Sequence, residues 1–290
     1  MPQNRTMHWQ TSRFSIDLAR PRVMGIVNVT PDSFSDGGSH DSPRAALAHC
    51  EELIGHGADI LDIGGESSRP GAPPVPLDEE MARVLPVLRE AVKLGVPVSV
   101  DTCKPAVMRA ALDEGADIVN DVWALRQPGA REAVAAHPGC GVCLMHMHGE
   151  PRTMQGSPMD GDAVPQVRIF LQQQSALLLA AGVARSRIVW DAGIGFGKTL
   201  QQNFALLARQ HELLADGYAL LVGWSRKSSL GTITGLPAQE RLAPSIAAAV
   251  LAVERGARVV RVHDVKQTAA ALKVWAAATI FSEDQAGKST

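Results

Sequence analysis

Short apolar runs alternate with longer amphipathic runs along the whole 290-residue chain. The short runs are apolar at nearly every position, which is typical of parallel strands buried on both faces. They predict eight strands, at residues 23–29, 58–63, 97–100, 117–120, 141–145, 187–190, 219–222 and 258–262. The amphipathic runs predict eight helices, near residues 43–56, 77–94, 104–114, 127–137, 163–181, 200–215, 241–255 and 265–279.

Eight strands that are each followed by a helix predict an α/β fold, the (β/α)8 TIM barrel. A repeated glycine supports the pattern, because Gly57, Gly115 and Gly256 each stand where a helix would end and the next strand begin. No linker interrupts the series, so we expect a single domain over residues 1–290, with residues 1–21 leading in and residues 281–290 forming a polar tail. A doubly wound open sheet is the structural alternative.

The charge balance limits the kind of ligand. The chain has 28 Lys and Arg against 30 Asp and Glu, a net charge of −2, with no tract of like charge. This argues against nucleic acid or an anionic membrane as the main partner and favours a small neutral or anionic ligand. No secretory signal and no apolar run of membrane-spanning length is visible, and the four cysteines are expected to be reduced thiols, so we expect a cytoplasmic protein.

Polar residues follow the predicted strands, at the end of a barrel where catalytic groups collect. A single Asp or Asn after a strand is more often a helix N-cap than a catalyst, so the joint pattern matters more than any one residue. Strands 3, 4 and 6 deliver acceptors, whereas strands 7, 8 and 1 deliver donors and cations. This arrangement predicts a ligand with an amine-rich edge and an anionic arm such as a phosphate. The residues concerned are Asn28, Asp62, Asp101, Asn120, Asp121, His146, Asp191, Lys227, Arg261 and His263.

Several local patterns suggest other chemistry. The loops at residues 30–38 and 67–76 are long enough to act as lids. Residues 191–199 resemble a nucleotide-binding P-loop, but Ala192 stands where that motif needs glycine, so its glycines more plausibly let the backbone approach a flat ligand. His146 and His148 could share a metal, although no third ligand is apparent. Cys140 and Cys143 have redox spacing but begin a strand rather than a helix.

The sequence resembles the dihydropteroate synthase family over roughly residues 13–280. The resemblance rests on NVTPDSFSDGG at 28–38 and DIGGESSRPG at 62–71, and it continues at VDT (100–102), ND (120–121), MHM (145–147), DAGIGFGK (191–198), SRKS (225–228) and RVHD (261–264). The resemblance implies a (β/α)8 barrel, usually a homodimer, that joins 6-hydroxymethyl-7,8-dihydropterin diphosphate to p-aminobenzoate with Mg2+. Diphosphate is expelled first in that family, which leaves a pterin cation for the arylamine to attack.

The resemblance also implies roles for individual residues. Pterin binding falls to Asp101, Asn120, Met145, Asp191, Gly223, Lys227 and Arg261. Diphosphate binding falls to Asn28, Arg69, Arg261 and His263, with Mg2+ at Asn28. The p-aminobenzoate pocket falls to Thr30, Pro31, Ser68, Arg69, Pro70, Phe196, Lys227 and Ser228. The residues expected to act in catalysis are Lys227, Arg261, Asp101 and Asp36.

The chain departs from the family pattern in three places. Ser68 stands where the family usually has Thr, His148 replaces a common Gln, and Ala192 replaces a common Pro. None of these removes a group with an assigned chemical role. The alternative functions are a pterin-binding methyltransferase barrel, which would not need the two loop motifs, a non-catalytic pterin-binding paralogue, and a Schiff-base aldolase using Lys227.

Overall fold

The computed structural model describes residues 7–30, 38–67, 71–150, 153–154 and 156–286. Its strands are β1 (His8–Gln10), β2 (Ser15–Asp17), β3 (Arg22–Asn28), β4 (Ile60–Gly64), β5 (Val98–Asp101), β6 (Ile118–Asp121), β7 (Gly141–Met145), β8 (Ile188–Asp191), β9 (Ala219–Val222) and β10 (Val259–Val262). Its helices are α1 (Gly38–Gly55), α2 (Leu77–Ala91), α3 (Pro105–Asp113), α4 (Ala130–Ala136), α5 (Ala163–Ala180), α6 (Leu200–Ala208), α7 (Gln210–Leu214), α8 (Ser228–Thr234), α9 (Leu242–Glu254) and α10 (Val265–Ala286).

Strands β3 to β10 form a closed parallel barrel. Each strand pairs with the next in sequence, and β10 pairs with β3 through a register that sets Arg261 beside Met24. The predicted (β/α)8 barrel is therefore confirmed, and closure rules out the doubly wound open sheet. All eight predicted strands lie within two residues of their predicted bounds.

The helices differ from the prediction at four places, the first of which is the start of α1 at Gly38 rather than near residue 43. The run predicted at 200–215 is divided at Arg209, whose ψ of 24° interrupts the helical backbone between α6 and α7. Helix α8 was not predicted, because its Ser- and Thr-rich sequence has little amphipathic pattern. Helix α10 continues to Ala286, so residues 281–286 are helical rather than part of the predicted tail. No helix in the described ranges combines the length and the apolar character needed to span a membrane.

A short antiparallel hairpin, β1 and β2, lies within the lead-in and covers the amino-terminal end of the barrel. Trp9, Ile16 and Leu18 from this segment pack with interior residues of the barrel strands. The Trp9 indole Nε1 donates a hydrogen bond of 2.9 Å to the Arg187 carbonyl oxygen, next to β8. The hairpin therefore closes one end of the barrel, and ligands reach the interior from the other end.

The barrel interior changes from apolar to polar within one step of the strand repeat. Because side chains alternate faces along a strand, a residue two positions further on lines the same interior, closer to the carboxyl-terminal mouth. An apolar or sulfur-bearing residue of the lower layer is followed at this spacing by a mouth residue on six strands: Ile60 by Asp62, Ile118 by Asn120, Cys143 by Met145, Val189 by Asp191, Leu221 by Gly223 and Val259 by Arg261.

Candidate active site

Arg261 crosses the mouth of the barrel and joins two strands. Its Nε donates to Asp62 Oδ2 at 2.6 Å on β4, and its Nη2 donates to Asp101 Oδ2 at 2.6 Å on β5. Asn120 Nδ2 on β6 donates to the same Asp62 oxygen at 3.1 Å. The structure thus brings together three of the predicted pterin-site residues, Arg261, Asp101 and Asn120, around the carboxylate of Asp62, a predicted mouth residue without an assigned ligand role.

Asp62 was expected at the mouth from its place on a predicted strand, but no role in pterin binding was assigned to it. Its side chain is fully buried, and its Oδ1 has no hydrogen-bond partner among the described residues. A buried carboxylate oxygen without a donor is costly, so Oδ1 is suited to accept a hydrogen bond from a ligand. The available signal was the two-residue spacing from Ile60, which places Asp62 inside the barrel.

Asp191 is buried, and Asp101 is largely shielded from water with 12% of its side chain exposed. Burial raises the pKa of the Asp101 carboxyl, and the guanidinium of Arg261 opposes that rise. Burial likewise raises the pKa of Asp191, against the effect of the Gly193 backbone N–H, which donates to Oδ1 at 2.7 Å. With Asp62, these side chains give the mouth three acceptor groups, as the sequence predicted for strands 3 and 6.

Lys227 follows β9, the strand between β8 of Asp191 and β10 of Arg261, and lies against an aromatic ring. Its Nζ is 4.2 Å from the centroid of Phe196, a cation–π distance. Burial lowers the pKa of Lys227 to about 8, and the nearby Asp191 carboxylate limits the fall. Ser228 follows at the start of α8 and is exposed. Three of the residues predicted for the p-aminobenzoate pocket are therefore neighbours.

Lys198 is a residue that the sequence analysis did not assign to the site. Its Nζ donates to three carbonyl oxygens, those of His146 at 3.2 Å, Gly193 at 2.8 Å and Phe196 at 3.1 Å. Burial lowers the pKa of Lys198 to about 7. A P-loop lysine binds phosphate, whereas this ammonium is committed to backbone oxygens, so the structure does not support a P-loop here. The residue instead fastens the loop after β8 to the loop after β7.

The glycines of residues 191–199 allow this close approach. Gly193 has a φ of +65°, and a Cβ on it would lie 1.8 Å from the His146 carbonyl oxygen. A Cβ on Gly197 would lie 2.2 Å from the His148 carbonyl oxygen. The glycines therefore bring two loops together below the mouth, which is a different role from the predicted approach of the backbone to a flat ligand.

Two other residues predicted to bind diphosphate, Asn28 and His263, lie at or just after the ends of the paired strands β3 and β10. His263 follows β10, and its Nδ1 is 2.9 Å from the Ser225 Oγ of the loop after β9. Asn28 ends the adjacent strand β3, is half-buried, and makes no side-chain hydrogen bond to a described residue. Because β10 pairs with β3, the predicted donors Asn28, Arg261 and His263 occupy neighbouring strand ends.

The floor and wall of the mouth are partly apolar. Met145 is buried at the end of β7 and packs in a cluster with Met147, Met154 and Phe196. Gly223 follows β9 and is half-buried, and a Cβ there would meet no atom within 4 Å. These surfaces can accept a flat ring without a polar contact.

Some predicted site residues cannot be placed. Pro31, Asp36, Ser68, Arg69 and Pro70 lie outside the described residues. Thr30 is described and half-buried, two residues beyond the end of β3. The roles given to all six remain predictions.

Two other local patterns, the pair His146 and His148 and the pair Cys140 and Cys143, do not form a metal or redox site among the described residues. The His146 ring is buried with its centroid 5.0 Å from that of Phe170, burial lowers its pKa to about 2, and His148 is exposed. No group of three or more His, Cys, Asp or Glu suited to a metal occurs among the described residues. Cys140 and Cys143 are buried free thiols whose pKa values burial raises, which does not suit a redox pair.

A cavity of about 380 Å³ adjoins the Arg261 cluster, because Asp101 is part of its lining. Cys103, Lys104 and Trp123 contribute to its wall. Lys104 Nζ forms ion pairs with Glu66 and with the buried Glu80, so its charge is already compensated. The wall therefore combines apolar surface with charged groups, of which Lys104, Glu66 and Glu80 are paired with one another.

Comparison with known proteins agrees with this arrangement. Residues 24–263, which include every barrel strand except two residues of β3, match the family of pterin binding enzymes. The fold and the mouth therefore define a pterin-binding barrel enzyme. The dihydropteroate synthase of Neisseria meningitidis serogroup B is 54% identical over 275 residues, covering 93% of this chain and 96% of that protein.

Solved structures give the same result. The Burkholderia cenocepacia dihydropteroate synthase complexed with 7,8-dihydropteroate has a TM-score of 0.89 and 51% identity, covering 96% of this chain and 98% of that chain. The Xanthomonas albilineans dihydropteroate synthase with 4-aminobenzoic acid has a TM-score of 0.86 and 50% identity, covering 91% and 95%. The chain belongs to the dihydropteroate synthase family.

Proposed function

We propose that the chain condenses 6-hydroxymethyl-7,8-dihydropterin diphosphate with p-aminobenzoate, giving 7,8-dihydropteroate and diphosphate in folate biosynthesis. The observation that carries this proposal is the position of Arg261, which bonds to the carboxylates of Asp62 and Asp101 and lies on the same strand end as His263. The ligands of the Burkholderia and Xanthomonas relatives, 7,8-dihydropteroate and 4-aminobenzoic acid, support the choice of substrates.

The pterin ring matches the acceptors of the mouth. Its amino group and ring N–H groups are donors, which suit Asp191 and the unpartnered Asp62 Oδ1. Its carbonyl oxygen and ring nitrogen are acceptors, which suit the Lys227 ammonium and the Asn120 amide. Met145 supplies an apolar contact for the ring face.

The same charges favour ionisation of the substrate. As the bond between the pterin methylene carbon and the diphosphate oxygen breaks, positive charge develops on the pterin and negative charge on the leaving group. The buried carboxylates stabilise the first, and Arg261 and His263 stabilise the second. The p-aminobenzoate nitrogen then forms the new C–N bond and gives up one proton, so no covalent enzyme nucleophile is needed.

We propose Mg2+ as the cofactor, with Asn28 as its protein ligand. Mg2+ prefers oxygen donors and usually keeps several waters while bridging substrate phosphates, so it does not require a cluster of carboxylates. The Asn28 amide oxygen is a suitable donor at the strand end nearest Arg261 and His263. When bound, the ion would offset the negative charge of the departing diphosphate.

The p-aminobenzoate pocket is proposed at Phe196, Lys227 and Ser228. The Phe196 ring supplies a face for the benzoate ring, and the Lys227 cation and Ser228 hydroxyl supply polar contacts. Thr30, Pro31, Ser68, Arg69 and Pro70 complete this pocket in the proposal, with Asp36 contributed by the loop after β3. Sulfonamides that mimic p-aminobenzoate are expected to compete here.

We also propose a homodimer in the cytoplasm. Ile233, Leu251 and Val274 are exposed apolar residues on α8, α9 and α10, which pack in that order around the barrel. A second copy of the chain would cover them. The four cysteines are free thiols, which agrees with a reducing compartment.

The proposal is tested with purified protein, Mg2+ and both substrates. We expect formation of 7,8-dihydropteroate, identified by mass, and an equal amount of released diphosphate. Asp191→Asn, which keeps the shape of the side chain and removes its charge, should lower the rate of product formation at least tenfold. Binding of the pterin diphosphate without any condensation product would contradict the enzymatic function.

A further inference from the structure

The Ser225 hydroxyl lies against two polar groups of His263. Its Oγ is 2.9 Å from His263 Nδ1 and 3.2 Å from the His263 backbone nitrogen. Ser225 is only 8% exposed, so water competes little for the hydrogen bonds of its hydroxyl. The contact joins the loop after β9, which leads to Lys227, to the loop after β10.

The backbone contact limits where the hydroxyl proton can point. A backbone N–H can only donate, so Ser225 Oγ accepts from His263 N. The hydroxyl has one proton, and Nδ1 is the acceptor that the described residues place within its reach. The geometry allows Ser225 to donate to Nδ1 of a neutral ring, and in that arrangement Nδ1 is unprotonated and the imidazole proton is on Nε2. The opposite tautomer would leave the buried hydroxyl proton without this acceptor, which is unfavourable.

A second contact holds the same two loops in register. Arg226 Nη2 donates to Asp264 Oδ1 at 2.6 Å, and its Nε donates to Oδ2 at 3.1 Å. Arg226 has a φ of +57°, which is uncommon for a residue other than glycine, and its backbone N–H donates to Ser245 Oγ at 2.9 Å. Two consecutive residues of one loop thus bond to two consecutive residues of the other.

We propose that Ser225 is a positioning residue that holds His263 as the Nε2–H tautomer, so that His263 presents a hydrogen-bond donor to the substrate diphosphate. A ring with its proton on Nδ1 would present a lone pair to that anion, which is repulsive. The identity of the anion rests on the proposed function, whereas the tautomer does not. The contact between Ser225 and His263 therefore orients the hydrogen-bond donor before the diphosphate binds.

The tautomer is tested by NMR of the ligand-free protein with 15N-labelled histidine, at a pH where the His263 ring is neutral. His263→Gln identifies the resonances by their loss. We expect wild-type His263 to show a protonated Nε2 and an unprotonated Nδ1, and Ser225→Ala to show a mixture of tautomers. A proton on Nδ1 in the wild-type protein, or an unchanged spectrum in Ser225→Ala, would overturn the proposal.

The consequence for binding is tested by calorimetry with inorganic diphosphate and Mg2+. Loss of one oriented hydrogen bond should weaken binding roughly tenfold in Ser225→Ala, and Ser225→Thr, which keeps the hydroxyl, should restore most of the affinity. Ser175→Ala is the matched control, because it also removes a buried serine hydroxyl, one that accepts from Trp190 Nε1 at 2.7 Å on the outer side of β8. Its affinity for diphosphate should equal that of the wild type.

The outcomes separate this proposal from the proposed function. Equal affinity in the wild type and Ser225→Ala, in a protein that still makes dihydropteroate, would overturn the role of Ser225 and leave the function standing. A wild-type protein that binds no diphosphate would overturn the diphosphate role of His263. If Ser225→Ala does not fold, two measurements still decide. The wild-type protein must show the Nε2–H tautomer, and Ser225→Thr must keep that tautomer and most of the affinity for diphosphate.

Discussion

Arg261 and Asp62 form a 2.6 Å ion pair inside the mouth of the barrel, in which the carboxylate is fully buried and the guanidinium is 20% exposed. Two charges removed from water in this way compensate each other, and loss of either leaves the other buried without a partner. The pair also leaves Asp62 Oδ1 unpartnered among the described residues. The cation is thus fixed in advance between the ring-binding and the leaving-group regions.

Asp62→Asn should therefore damage both stability and binding. The substitution keeps the size of the side chain but removes the negative charge next to Arg261, so we expect the free energy of unfolding to fall by about 2 kcal/mol. Pterin affinity, measured by calorimetry, should fall at least tenfold. Asp216→Asn, which removes a more exposed carboxylate paired with Arg168, should leave pterin affinity unchanged. Normal pterin binding by Asp62→Asn would contradict the assignment of Asp62 to the site.

Asp101 and Ser68 are expected to differ sharply in their effect on the pterin. Asp101→Asn removes a carboxylate that bonds to Arg261, whereas Ser68→Thr adds one methyl group and keeps the hydroxyl. We expect Asp101→Asn to reduce pterin affinity by at least tenfold and Ser68→Thr by less than about twofold. Equal effects of the two substitutions on pterin affinity would show that the ring is placed incorrectly.

The activity should decline at alkaline pH because of Lys227. Its pKa in the folded protein is lowered to about 8, so the cation is present below that pH and is lost as the pH rises through it. We therefore expect kcat/KM for the pterin diphosphate to fall above about pH 8. Lys227→Arg keeps its charge to a much higher pH, so its activity, although lower, should be flat over this range. An alkaline decline that persists unchanged in Lys227→Arg would assign it to another group.

Lys198 should matter for the p-aminobenzoate pocket although it has no predicted contact with either substrate. Lys198→Met leaves the carbonyl oxygens of His146, Gly193 and Phe196 without their shared donor. We expect a loss of about 2 kcal/mol in stability and a several-fold rise in KM for p-aminobenzoate, because Phe196 loses its support. Partial rescue by Lys198→Arg is expected. A variant with normal stability and normal KM would refute the role of these bonds.

Trp9 should affect stability without affecting the site. Trp9→Ala removes a fully buried indole that closes the far end of the barrel, and we expect a cost of about 3–5 kcal/mol in the free energy of unfolding. At a temperature where the variant is folded, the KM values for both substrates should equal those of the wild type. A selective change in KM would indicate that the hairpin communicates with the mouth.

The strands could be predicted because each is an uninterrupted apolar run between glycine-marked turns, a local property of the sequence. The hairpin of β1 and β2 could not, since strands of three residues are too short to show a period. The break at Arg209 was also missed, because a helical pattern continues through it.

The site could be predicted in part for a related reason. Residues that follow strand ends, such as Asp101 and Lys227, are visible in sequence once a barrel is assumed. The partnerships of Asp62, Lys198 and Ser225 are between residues 38 to 199 positions apart or with backbone oxygens, which no local pattern encodes. These contacts determine which charges are already compensated and which atoms remain for a ligand.

The most direct test of the account is a crystal structure of this protein with 7,8-dihydropteroate. The account predicts the pterin ring in the barrel mouth, with its amino edge within hydrogen-bond distance of Asp191 or Asp62 Oδ1, and the aminobenzoyl ring against Phe196 and Lys227. Product bound instead in the cavity beside Cys103 and Trp123, with the Arg261 cluster untouched, would contradict it.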